Sequence, residues 1–380
     1  MPNRSTYQAA KIAAPAIAHH FAQLLAAAAA QGETDLAPEP PLSCIETMID
    51  VAFWASLRKE ESRSPKISLA YVPPLLAGQP LIFENRILVT PYVLTKLAPA
   101  VERSGIHLGV WDEDGELYIW GTTRLIPDCC FVLEVVEPGL LVVKHRRING
   151  FGKFINVAVL KGDEIKIIDE ESRTLPDCPD MLTSLLDYNT SPGWNSPVNI
   201  LVQLAASMRA HGHGGSLLVV PAGSDAWRDS IIRPITYPVT PAFDELKRLM
   251  EQPVDEQTID VWQEDVNRAV ESIAGLTAVD GATIINDKLE LLAFGAKIGL
   301  SSNGVPVEQM LVTEPIIGTE VTMIHPSQNG GTRHLSAAQF VFDQRDAIAL
   351  VSSQDGRFTI FSWSPCENVV HAHYVDALLL

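Results

Sequence analysis

Gly330-Gly331-Thr332-Arg333-His334-Leu335-Ser336-Ala337-Ala338-Gln339-Phe340-Val341-Phe342 is the stretch whose periodicity decides the fold. Leu335, Ala338 and Phe342 recur at i, i+3 and i+7, with Ala337 and Val341 beside them, which is one face of a helix. Thr332 stands where an N-cap belongs, behind two glycines. Such a start, followed by Arg333-His334, puts unpaired N–H groups, a hydroxyl and fixed positive charge at one point, which suits a phosphate. Upstream, Asp280-Gly281-Ala282 lies between the apolar, β-prone runs 276–279 and 282–285. A carboxylate drawn into such surroundings calls for a metal or a strong donor. Both segments also admit a plainer reading: Asp-Gly between β runs is a hairpin signal, and Thr332 can cap a helix that opens on two surface side chains. Further strands are expected at 288–294, 347–352 and 358–363, the last two joined by a turn at Gln354-Asp355-Gly356.

Taken in order, these segments resemble the diadenylate cyclase domain, the module that joins two ATP molecules into cyclic di-AMP. That family carries Asp-Gly-Ala on a strand, Gly-Thr-Arg-His-Arg opening a helix, and an apolar strand ending in Val-Ser; here these are Asp280-Gly281-Ala282, Gly331-Thr332-Arg333-His334 and Leu350-Val351-Ser352. An amphipathic segment at 200–209 followed by Gly215-Ser216-Leu217-Leu218-Val219-Val220 matches the family's opening helix and strand, so the resemblance spans 197–363. Three departures stand out: Leu335 replaces the second arginine, the interval between the motifs is lengthened around 300–329, and Ser353-Gln354 replace acidic residues of many relatives. The arrangement also resembles a subfamily in which the cyclase follows a sensor region called DACNV.

The resemblance implies a mixed central sheet flanked by helices, with ATP as substrate and Mg2+ or Mn2+ as cofactor. It implies a homodimer, or higher homo-oligomer, with facing active sites. Asp280 would bind the metal and orient a 3′-hydroxyl, and Gly281 and Ala282 would let the nucleotide approach the backbone. Gly331, Thr332, Arg333 and His334 would hold the phosphates, with Asp280, Arg333 and His334 as the catalytic set. Ser336 and Ser352 are further phosphate or metal-shell candidates, and Gly295 is a candidate for the adenine wall. The alternative is a catalytically silent nucleotide or cyclic-dinucleotide sensor of the same fold.

At 380 residues the chain has room for two domains, expected at 1–190 (sensor) and 191–380 (cyclase-like and tail). The expected class is α+β to α/β, the first domain built on an antiparallel sheet. A net charge of −18 and a pI near 4.9 disfavour nucleic acid or an anionic membrane as partner. The five cysteines are odd in number and lack C-x-x-C spacing, which reads as reduced thiols in a cytoplasmic protein. No run reaches the ~18 consecutive apolar residues of a membrane span, so no membrane insertion is expected. The alanine-rich start reads as one helix, or two broken near Pro15. No Gly-x-x-x-x-Gly-Lys-Ser/Thr loop occurs, so any phosphate cradle lies elsewhere.

A second helix is expected from Ser43, as its cap, to about Arg58. From 80 to 169 short strands are expected at 81–83, 87–89, 108–111, 116–120, 131–136, 140–144, 155–160 and 164–168, with a helix at 91–103. Asp114-Gly115, Pro138-Gly139 and Gly162-Asp163 supply the turns. Lys144-His145-Arg146-Arg147 is the one basic cluster, a solvated strand end or a small-anion site, followed by the glycine-flanked loop 148–152. The stretch 170–196 reads as a linker with a short helix near 180–187. His211-Gly212-His213-Gly214-Gly215 is either a metal pair or the bend between the first helix and strand of the second domain. Helices are expected at 243–250 and, after Pro253, at 259–273, while 300–329 is a candidate cover for the site or a dimer face. The tail with His371-Ala372-His373 reads as a closing segment.

Overall fold

The computed structural model describes residues 6–60, 62–103, 105–147, 154–174, 177–186, 197–252, 259–302 and 304–380. The chain forms two compact units that part after Ile168, ahead of the boundary expected near 190, which lies outside the described residues, as do the loop 148–152 and Pro253. The reason for the earlier division is the supposed linker: its helix Asp180–Leu186 buries Met181, Leu182 and Leu186 and packs on the helix that follows.

The first unit runs α1 (Gln8–Ala30), α2 (Leu42–Ser56), β1 (Ile67–Tyr71), β2 (Leu81–Leu88), α3 (Pro91–Val101), β3 (His107–Glu113), β4 (Glu116–Thr123), β5 (Phe131–Glu137), β6 (Leu140–Arg146), β7 (Phe154–Lys161) and β8 (Glu164–Ile167). Its sheet has the order β2-β4-β3-β1-β5-β6-β7-β8. All pairs are antiparallel except β1 and β3, which run parallel because α3 lies in the crossover between them. The α+β class is therefore as expected, with one parallel pair in the sheet. Asp114 and Gly115 both take positive φ, as a two-residue hairpin turn requires.

α1 is one continuous helix with Pro15 inside it; alanine's helix propensity sustains the flanking turns. By length and composition α1 is apolar enough to cross a membrane, yet its stripe Ala10, Ala14, Ile17 and Phe21 is fully buried against α2, β7 and β8. Ser43 does not cap α2: Pro41 holds the cap position, and the Ser43 carbonyl already accepts from Thr47 Oγ1 at 2.8 Å. The basic cluster is neither a solvated strand end nor an open anion site. Lys144 Nζ pairs with Glu134 Oε2 at 2.6 Å, His145 and Arg147 are buried, and Arg146 reaches Asp128.

The second unit contains α4 (Asp180–Leu186), α5 (Pro197–Ala210), β9 (Gly215–Val220), β10 (Tyr237–Phe243), α6 (Glu245–Glu251), α7 (Ile259–Leu276), β11 (Ala282–Asn286), β12 (Leu291–Ala296), β13 (Met310–Thr313), β14 (Thr322–Ile324), α8 (Thr332–Asp343), β15 (Ile348–Ser352), β16 (Phe358–Ser364) and β17 (Val369–Tyr374). Its sheet has the order β10-β12-β11-β9-β15-β16-β17-β13-β14, with β9/β11 and β13/β17 parallel. Leu218, Ile284, Ala349 and Phe361 form the core on the face that α8 covers. Strand alternation turns Leu217, Val219 and Leu350 to the other face, where α5 and α7 pack.

Three expectations change here. Residues 276–279 are not a strand: α7 runs through Leu276 and turns directly into β11, which pairs in parallel with β9, so Asp280-Gly281 closes no hairpin. The buried face of α8 is His334, Ala337, Ala338 and Val341 with Phe340, rotated from the one expected, and Leu335 is 38% exposed. The 300–329 segment supplies β13, which extends the sheet beyond β17, and β14 at the edge.

The two sheets share one plan. From the central strand (β1, β9), a parallel partner (β3, β11), an antiparallel strand (β4, β12) and an edge strand (β2, β10) follow on one side. On the other side lies an antiparallel meander (β5-β6-β7, β15-β16-β17). The second unit differs by inserting β13, β14 and α8 where the first passes directly from β4 to β5.

Candidate functional site

A cavity of about 560 Å³ opens in the second unit where β9 and β11 begin and β15 ends. Of the ten residues singled out from the sequence, nine line it: Asp280, Gly281 and Ala282 from the start of β11, Gly331 to His334 and Ser336 from α8, and Ser352 from β15. The tenth, Gly295, stands behind Gly281 instead of on the wall. A Cβ on Gly281 (φ +108°) would lie 2.5 Å from the Gly295 carbonyl carbon, and one on Gly295 would lie 2.8 Å from the Tyr237 ring. Only glycine permits this approach of the two backbones, and the approach sets the bend that presents Asp280.

Asp280 is not drawn into apolar surroundings. Its side chain is 91% exposed, because it sits on the turn ahead of the strand, and Lys297 Nζ stands 3.9 Å away. Ser216 and Ser353, from segments already compared with the family, also line the cavity, as do Lys297, Ile232 and Ile298, which carry no motif in the sequence.

Gly331, not Thr332, is the N-cap of α8, and Thr332 is its first helical residue. His334 N is the first to bond back, to Gly331 O at 3.1 Å, so the N–H groups of Thr332 and Arg333 lack an intrahelical acceptor. The half-buried Arg333 lies against Gly214, where a Cβ would come within 3.1 Å of Nη1. The glycine bend before β9 therefore makes room for the guanidinium. Gln354 Nε2 ties the β15–β16 turn to the same bend through His213 O at 3.2 Å. The two histidines of the bend are engaged locally: His211 Nε2 meets Thr277 Oγ1 at 3.1 Å and Nδ1 accepts from His213 N. Among the described residues, the one group of three metal-ligand side chains found does not include them.

His334 reaches the cavity as a buried side chain and not as an exposed cation. It is 4% exposed, its Nε2 lies 3.3 Å from Thr359 Oγ1, and its ring stands edge-on to Phe361. Burial, then the nearby Arg357 charge, with Asp355 opposing and Arg333 adding, holds its pKa down at about 4. The ring is neutral at neutral pH and steadies the first turn of α8. Ser352 is likewise buried, its Oγ donating to Met208 O at 3.4 Å.

Among the described residues, the charged side chains on the wall are then two cations, Arg333 and Lys297, against one carboxylate, Asp280. In a chain of net charge −18 this is a local reversal of sign, as an anion site needs. A second cavity of about 470 Å³ at the opposite end of β9 and β11 carries Asp177, Asp180, Asp287 and Asp346 and, among the described residues, no lysine or arginine, which disfavours phosphate.

A single Asp280 carboxylate suits Mg2+ or Mn2+ of the kind shared between one or two carboxylates and substrate phosphates, and no all-protein cage is required. No curated protein matches the chain. The family described as probable sensor domain DACNV matches residues 34–124, from just ahead of α2 to just past β4, so the match lies within the first unit.

Proposed function

We propose that the second unit is a diadenylate cyclase that condenses two ATP molecules into cyclic di-AMP and pyrophosphate, regulated by the sensor-bearing first unit. The observation that carries this reading is the convergence of Asp280-Gly281-Ala282 and Gly331-Thr332-Arg333-His334, separated in sequence, on one cavity whose wall is cationic. Its volume is in the range of small-ligand sites and suits one nucleotide.

In this reading the N–H groups at the start of α8 and the Arg333 guanidinium hold the triphosphate and offset the charge that builds on the leaving pyrophosphate. Asp280 orients the 3′-hydroxyl of the nucleotide held by a facing protomer. A bound Mg2+ or Mn2+ would neutralise phosphate charge and lower the pKa of that hydroxyl. The 3′-oxygen bonds to the α-phosphorus, the bond from that phosphorus to the bridging oxygen of pyrophosphate breaks, and the hydroxyl proton leaves to solvent. Repeating the step with the roles exchanged closes the ring. His334 lines the cavity from the first turn of α8 as a buried, neutral ring. Each cavity holds one nucleotide, so a homodimer with facing sites is required and an isolated protomer is nearly inactive. ATP as substrate and five free cysteines both suit the cytoplasm.

Pyrophosphate release from ATP, with Mg2+ or Mn2+, tests the reading in wild type, Asp280→Asn and Arg333→Ala. Release by the wild type that both variants lose supports it. ATP binding without release in any metal favours the silent sensor, to which Leu335 in the arginine position points; no binding removes the nucleotide reading.

A further inference from the structure

We propose that Lys297 is a phosphate-binding residue of the cavity, supplying from the sheet side the second positive contact that Leu335 withholds from α8. The inference rests on the nucleotide reading of this cavity. Leu335 is exposed and points off the wall, so a triphosphate meets one guanidinium and the helix N–H groups on that side. Several negative charges at one helix start are left incompletely offset, and Lys297 is the other cation on the wall. A lysine ammonium is an effective point-charge partner for phosphate.

The backbone at Lys297 is fixed. Its carbonyl accepts from Ile232 N at 2.8 Å, Ile231 and Ile298 form a bridge, and Gly299 N donates to Ser230 O at 2.9 Å. The side chain, by contrast, is 64% exposed, and its one partner among the described residues is the loose 3.9 Å approach to Asp280 Oδ2. An exposed pair at that distance is held weakly and is readily exchanged. An arriving triphosphate therefore draws Nζ off Asp280, which frees the carboxylate for the 3′-hydroxyl or the metal. A fixed backbone with an exposed, weakly held charged end is what such an exchange needs.

The competing account is that Lys297 only screens Asp280, and a double substitution separates the two. Equilibrium ATP binding in Mg2+ is measured for the full chain as wild type, Lys297→Ala, Lys297→Arg, Asp280→Asn and Asp280→Asn/Lys297→Ala. We expect Lys297→Ala to weaken binding about tenfold, Lys297→Arg to stay within about threefold of wild type, and the alanine loss to persist in the Asp280→Asn background. Raising the salt should narrow the gap between wild type and Lys297→Ala. Unchanged binding by Lys297→Ala overturns the inference, as does a loss that vanishes once Asp280 is neutral, or one that arginine fails to repair. Those outcomes leave the nucleotide reading standing; absence of ATP binding by the wild type overturns both.

Discussion

The two units lay out their strands on the same plan and differ most at one place. Between β4 and β5 the first unit uses a short connection, whereas between β12 and β15 the second inserts β13, β14 and α8. The central strands carry serines at matching register: Ser68 lies opposite Glu134, and Ser216 opposite Val351 and beside Ala282. In the first unit that place is closed. Ser68 Oγ meets His107 Nδ1 at 2.7 Å and Glu134 Oε1 at 3.3 Å, and Lys144 pairs with the other Glu134 oxygen. In the second unit Ser216 opens on the cavity under the α8 start. The comparison teaches that the shared sheet supplies the platform, and that the inserted helix with the turn at Asp280 supplies the chemistry.

The largest expected effect comes from substitutions at that insertion and turn. Asp280→Asn or Arg333→Ala should lower product formation by about 10²-fold or more, as loss of a preorganised charge does, and the thermal melt of Asp280→Asn should be unmoved because Asp280 is exposed. The converse substitution breaks the closed network of the first unit. Glu134→Ala leaves Lys144 buried without its partner and should cost on the order of 3 kcal/mol in denaturant unfolding, while ATP binding by the second unit stays as it was. Gly281→Ala forces a Cβ onto the Gly295 backbone at positive φ, and about 2 kcal/mol should be lost in the same assay.

Acid should act on both units through buried histidines. His334 and His371 are held down at about 4 by burial first, His20 likewise, and His145 at about 3. With unfolded values near 6.5, the unfolded chain binds more protons between about 6.5 and 4. Stability is therefore fully present above 6.5 and falls as the pH drops toward 4. Urea midpoints at pH 7.5, 6 and 5 should decline in that order, and equal midpoints would contradict the burial of these rings. The smallest effect is expected from Leu335→Ala, an exposed side chain off the cavity wall, within about 0.5 kcal/mol of wild type.

The sequence made the first unit legible wherever a strand buries one face. β4 opens in alternation, from exposed Glu116 to buried Leu117, half-buried Tyr118 and buried Ile119, and the turns beside β4 and β5 carry Asp114-Gly115 and Pro138-Gly139. β1 escaped because Ile67 to Tyr71 are all buried, which erases the period of two. β10 escaped for the opposite reason: Pro238 and Pro241 lie within an exposed, irregular edge strand. In the site, residue identity named the segments, but the environment decided their states. Asp280 looked buried because apolar residues flank it, although those at 276–279 belong to the end of α7 and the turn after it. His334 looked cationic because it follows Arg333, although a rotation of α8 buries it against Phe361. Lys297 carries no motif at all; only the fold brings it beside Asp280. The common plan of the two units was likewise invisible, since it lies in strand order, and a single matched serine, Ser68 and Ser216, does not reveal it.

The most direct measurement is the mass of what the full chain makes from ATP with Mn2+, beside the Asp280→Asn variant. The account predicts cyclic di-AMP from the wild type and none from the variant. A wild type that binds ATP and yields no cyclic di-AMP in either Mn2+ or Mg2+, at protein concentrations where it is dimeric, would contradict it.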